Sequence, residues 1–175
     1  MPVVILSWTT DALSLWSGLG LGMLYLGIFI RLWGVGHMGP TARVREAVVR
    51  KLIYTGPYEL SRNPLYLANI GMLTGLSLAT HGLYGGAIML PTVSIFYGFI
   101  VRYEEDFLEN RLGEIYRSYR NRVPRWIGEA APVHAAAPKG LLGERVENAL
   151  KAERSTMASV LIVTILVLIR SLGVG

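Results

Sequence analysis

The sequence predicts an all-α fold: a polytopic membrane helix bundle of about four spans, with amphipathic helices on its cytosolic side. Three observations carry this reading. Of 175 residues 52% are hydrophobic and only 17% are charged, against roughly 25% charged in a soluble domain. Four apolar runs approach the roughly 20 residues that a bilayer span needs. Basic residues avoid those runs and gather in two stretches between them. The mean hydropathy of +0.42 agrees.

The first span is Leu13 to Val35, broken only by Arg31 near its end. The second is Pro64 to Thr80, and the third is Leu83 to Val101, where Pro91 predicts a kink. The fourth is Met157 to Leu172, with Arg170 near its end. Spans two and three are joined by a turn at His81-Gly82, so they form an antiparallel hairpin. Gly18 and Gly22 are one helical turn apart, as are Gly71 and Gly75. Small residues at that spacing let helices approach closely, within the bundle or, alternatively, across a homodimer seam.

The stretches between spans are more than linkers. Thr41 to Tyr54 reads as an amphipathic helix with Val44, Val48, Leu52 and Ile53 on one side. Arg102 to Tyr119 continues the third helix beyond the membrane. Residues 130–138 are an Ala/Pro-rich linker, and Leu141 to Arg154 is an interfacial amphipathic stretch leading into the last span. No internal repeat is evident, and the whole of 1–175 reads as one domain.

Of the 17 Lys and Arg, five lie between Gly34 and Asn63 and ten between Arg102 and Ser155. With four spans this puts both basic stretches in the cytosol and both termini outside. The net charge of +5 is then a membrane signature rather than a sign of nucleic acid binding. Met1 to Thr10 lacks the charged start and cleavage site of a signal peptide. There is no cysteine, and His37, His81 and His134 lack metal-ligand spacing, so neither a thiolate nucleophile nor a metal site is expected.

Two polar clusters sit at span ends. Thr55 to Tyr66 is a turn-rich connector punctuated by Gly56-Pro57 and Asn63-Pro64. Pro64 suits the first turn of a helix. The free N–H groups there, with Arg62 alongside, suit a carboxylate or phosphate. Equally, Tyr58, Tyr66 and Arg62 suit interfacial anchoring. The second cluster is Arg102-Tyr103-Glu104-Glu105-Asp106, just where the third span ends. Glu105 and Asp106 are spaced to pair with Arg102. A carboxylate at that depth also suits a ribose hydroxyl or a cation.

Taken in order, the clusters read G-P-Y, R-N-P-x-Y, an apolar hairpin, R-x-E-E-x-x-L, then G-x-x-Y-x-x-Y-x-x-x-V-P. Over about residues 50–125 this resembles the membrane methyltransferase family of isoprenylcysteine carboxyl methyltransferases and phospholipid N-methyltransferases. The resemblance implies S-adenosylmethionine as cofactor and a lipid-like acceptor drawn from the bilayer. It implies backbone contacts from Arg50, Lys51, Leu52 and Ile53, a lining of Tyr58, Asn63, Pro64, Leu65 and Tyr66, and a carboxylate contact from Glu104. Arg62 and Arg102 would face the reacting end of the substrate, and Glu105 is the nearest base for an amine acceptor. Two positions depart from the carboxyl methyltransferases, which have His where Asn63 stands and Arg where Ile100 stands. NADPH-dependent sterol-reductase-like enzymes share a related connector but carry R-D-E and a Trp in place of Glu104-Glu105 and Tyr116. A non-enzymatic membrane adaptor would account for the spans but not for the ordered clusters.

The orientation is testable because the chain has no native cysteine. A Ser118→Cys variant in intact cells should resist an impermeant thiol reagent and react only after permeabilisation. Labelling of intact cells would invert the topology.

Overall fold

A computed structural model describes residues 15–38, 52–127 and 142–171. Their order is α1 (Leu15–Met38), a 3-10 turn (Gly56–Glu59), α2 (Pro64–Leu112), α3 (Glu114–Arg122) and α4 (Leu142–Ser171). No strand occurs among the described residues. Three of these helices are long and apolar enough to cross a membrane: Leu15–Met38, Pro64–Leu112 and Leu142–Arg170.

The 49-residue α2 is two helices joined at Gly82, whose φ of 65° and ψ of −157° are not helical. Only glycine adopts that backbone readily. The limbs on either side run antiparallel: the Tyr66 and Tyr97 rings lie 5.3 Å apart, and Asn63 meets Glu105. The three helices therefore supply four apolar passes. Breaking a helix frees carbonyls near the break. Here the Ala79 carbonyl accepts from Ser17 Oγ and the Thr80 carbonyl from Arg170 Nη1. The break at Gly82 is the turn expected at His81-Gly82, and the backbone stays helical through Pro91. An exposed proline can continue a helix when its neighbours resatisfy the ladder.

α1 is the centre of the bundle, packing on α2, α4 and the 3-10 turn. The first limb of α2 runs antiparallel to it, and the two approach backbone to backbone. A Cβ on Gly75 would lie 2.6 Å from the Gly20 carbonyl oxygen, and one on Gly27 would lie 2.9 Å from that of Ala68. Gly18, Gly22 and Gly71 meet nothing within 4 Å. The spacing thus picked out Gly75 correctly, but on α1 the close approach is made by Gly20 and Gly27, on a different face from Gly18 and Gly22.

α4 packs on α1 through Leu24, Ile28 and Val160. Arg31 of α1 adds a two-pronged pair to Glu153, with Nε and Nη2 at 2.9 and 2.8 Å, while its Nη1 reaches Asn69 of α2. Ionisable groups at membrane depth are costly unless they face inward and pair. This one cluster satisfies that condition for three helices. Leu142 to Ser171 is one continuous helix, so the stretch expected to lie along the interface is the extension of the last span.

Two expectations fall wholly or largely on undescribed residues. The linker 130–138 lies outside the described residues, as does most of the amphipathic helix Thr41 to Tyr54; its last residues, 52–54, are not helical.

Candidate functional site

The connector, the end of the α2 second limb, and the segment after α3 meet at one end of the bundle. Glycine sets up two of the turns. Gly56 has φ +63° and the His37 ring occupies the space a Cβ there would fill. Gly113, at φ +56°, breaks the chain sharply between α2 and α3. α3 then presents Tyr116, Tyr119 and Val123 as a buried cluster, covered by Leu52, Leu108 and Leu112. The Tyr119 hydroxyl donates to the Tyr58 carbonyl at 2.7 Å, fastening α3 to the connector. On the outside Glu109 accepts from Arg117 Nε at 3.0 Å and Arg120 Nη1 at 2.6 Å. Those two hydrogen bonds hold its carboxyl below the usual range.

Glu105 is the centre of the arrangement, with its side chain only 3% exposed. Oε1 accepts from Asn63 Nδ2 at 2.9 Å. Oε2 accepts from Arg125 Nε and Nη2 at 3.0 and 2.8 Å, and from Arg62 Nη2 at 3.3 Å. Arg62 is 7% exposed and also points Nη1 at the Arg120 carbonyl, 3.4 Å away. The second Asn63 amide hydrogen goes to the Arg125 carbonyl at 3.2 Å. Asn63 thus donates twice from one nitrogen. The histidine of the carboxyl methyltransferases has no NH₂ to do so, which gives this departure a local reason.

Glu104 is the neighbour of Glu105 with the opposite surroundings. It is half-buried and has no hydrogen bond or ion pair among the described residues. At 3.6 residues per turn it shares a helix face with Tyr97, Val101 and Leu108. Tyr97 packs on Tyr66, and Val101 is fully buried. Glu104 therefore lies on the flank of the buried face of α2, about two turns along from Tyr97. Two more polar atoms in this region are buried without a partner, Tyr58 Oη and Arg62 Nε. Burial pushes the Tyr58 and Tyr119 phenols far above their ordinary range, and Tyr116 up to about 12. All three remain neutral hydroxyls near neutral pH.

The expected site residues are only partly brought together. Arg62, Asn63 and Glu105 form one network. Pro64 is buried, Leu65 packs on Gly34 of α1, and Tyr66 packs on Tyr97. Leu52 packs on the tyrosine cluster and Ile53 is half-buried. Arg50 and Lys51 lie outside the described residues. Arg102 does not join them: it is exposed on the stripe of Ile95, Phe99 and Tyr103. The expected Arg102–Glu105 pair is absent because Arg62 and Arg125, from other segments, hold that carboxylate. Arg125 carried no signal beyond its place after Val123-Pro124. Among the described residues no group of three His, Asp or Glu could hold a metal ion.

The profile of the phospholipid methyltransferase family matches residues 15–115, more than half of the chain. The cobalt-zinc-cadmium resistance protein CzcN of Cupriavidus metallidurans is 29% identical over 117 residues, covering 65% of this chain and 54% of that protein. The nickel-cobalt-cadmium resistance protein NccN of Alcaligenes xylosoxydans xylosoxydans is 28% identical over 121 residues, covering 69% and 52%. The chain spans about half the length of these curated relatives. No solved structure matches.

Removing the buried carboxylate leaves two guanidiniums without a counter-charge, so Glu105→Ala should lose about 3 kcal/mol or more of stability. Glu104→Ala should lose far less. Denaturant unfolding in detergent compares the two, and equal losses would mean that Glu105 is not the centre of the clasp.

Proposed function

The chain belongs to the phospholipid methyltransferase family, and from that premise we propose that it transfers a methyl group from S-adenosylmethionine to a lipid-like acceptor held in the bilayer. The observation that carries this reading is the half-buried Glu104, without a partner among the described residues, next to the Glu105 network that ties α2 to the connector. The reaction needs a carboxylate for the cofactor, an aligned acceptor and little water.

The residues present fit such a cofactor. Glu104, Tyr58 Oη and Arg62 Nε have no hydrogen-bond partner among the described residues. S-adenosylmethionine offers both positive and negative groups and the ribose hydroxyl pair, so it can meet donors and an acceptor together. Glu104 would hold it by charge-assisted hydrogen bonds. Leu65, Tyr66 and the backbone leading into Pro64 would line it. When bound, the cofactor supplies an electrophilic methyl group on a sulfonium.

What the chain does is align and dry the reacting groups. The Tyr66–Tyr97 pair would shield the site on the membrane side. The buried Tyr116, Tyr119 and Val123 would exclude water on the α3 side. Glu105 already accepts hydrogen bonds from three side chains, which supports a positioning role over proton transfer to an amine acceptor. Arg62 is likewise committed to that network, apart from its Nε. Arg102 on the outward stripe suits lipid headgroups, its stem lying along apolar surface with the guanidinium at the boundary. The basic end of the bundle is read as cytosolic, where the cofactor is available.

Replacing the cofactor carboxylate tests the reading. Glu104→Gln should weaken S-adenosylmethionine binding by about ten- to a hundred-fold, the worth of a charge-assisted hydrogen bond. Glu109→Gln is the control on the same helix, since Glu109 is engaged by Arg117 and Arg120. Methyl transfer to a bilayer lipid extract should fall in parallel for the first variant alone. Equal dissociation constants for the two would remove Glu104 from the site.

A further inference from the structure

The family match ends at residue 115, yet the chain closes the site ten residues later. After α3, Pro124 and Arg125 cross the connector as a strap. The Arg62 backbone N–H donates to the Pro124 carbonyl at 2.9 Å. Ser61 Oγ and Asn63 Nδ2 both donate to the Arg125 carbonyl at 3.2 Å. The Arg125 side chain turns the other way, with two hydrogen bonds to Glu105 on α2. One residue therefore grips the connector with its backbone and the α2 helix with its side chain. Tyr66 follows the connector and Glu104 precedes Glu105, so the strap ties together the two segments that carry them.

We infer that Arg125 is a positioning residue that sets the spacing between the connector and the Glu104-bearing turn of α2. The inference rests on the methyl-transfer reading for its effect on the cofactor, but not for its effect on the connector. Arg125 differs from Arg62 in one useful respect. Its side chain is 34% exposed, whereas that of Arg62 is buried at 7%. Removing the Arg125 guanidinium leaves Glu105 paired with Arg62 and Asn63, and leaves the strap's carbonyl acceptors in place. The bundle should then fold while the strap loosens.

The test compares Arg125→Gln and Arg125→Lys with the native full chain in detergent. Three quantities are read: unfolding temperature, amide exchange across residues 55–66, and the KM for S-adenosylmethionine against kcat. For Arg125→Gln the unfolding temperature should stay near that of the native chain. Exchange at Arg62 and Asn63 should quicken, and KM should rise about tenfold with a smaller change in kcat. Arg125→Lys should recover part of both. Unchanged exchange at Arg62 and Asn63 overturns the inference, as does faster exchange with an unchanged KM. A uniform loss of stability without a local exchange change makes Arg125 merely structural and overturns it too. Failure of the native chain to bind S-adenosylmethionine sinks the methyl-transfer reading and with it the cofactor effect, while exchange still decides whether Arg125 holds the connector.

Discussion

A single buried carboxylate, Glu105, organises the polar end of this bundle. Its two oxygens collect hydrogen bonds from Asn63, Arg62 and Arg125. These come from the connector and from the strap after α3. A charge so deeply buried is tolerable only when it is paired and hydrogen-bonded, as Glu105 is through both oxygens. With Glu105 in place, the connector cannot drift from α2, and the tyrosine cluster of α3 is held over both. Glu104, one residue earlier, is turned about 100° round the helix and has no such partners. Two adjacent carboxylates of the same chemistry thus differ: one ties the connector to α2, and the other has no partner among the described residues.

The membrane half obeys a different constraint. Lipid gives no hydrophobic drive for helices to associate, so packing and paired polar groups must do it. Gly20, Gly27 and Gly75 bring α1 against the first limb of α2. The Arg31–Glu153 pair, with Asn69, then ties α4 to both. At the far end Ser17 and Arg170 cap the carbonyls released where Gly82 turns the hairpin. The connector leans on this frame, since Tyr58 and Leu65 pack at Gly34 and the His37 ring sits under Gly56.

The apolar passes and the hairpin were legible because length, hydropathy and a short polar turn are properties of consecutive residues. The connector was legible through its glycine and proline punctuation. The glycine contacts were read less well. A one-turn spacing says that Gly18 and Gly22 share a face, not that this face meets a neighbour. Arg31 and Glu153 lie 122 residues apart, so nothing local announces their pair. The partners of Glu105 escaped for the same reason. Arg102, three residues away, was the natural choice, whereas Arg125 is 20 residues distant and Arg62 is 43. Sequence spacing ranks partners by distance along the helix. The fold ranks them by which face is buried.

The reading of this chain as a membrane methyltransferase is tested most directly by equilibrium binding to the detergent-purified protein, with S-adenosylmethionine and NADPH titrated separately in a calorimeter. Saturable one-to-one binding of S-adenosylmethionine, displaced by S-adenosylhomocysteine and indifferent to NADPH, is the expected result. Binding of NADPH in its place, or of neither compound, would contradict it.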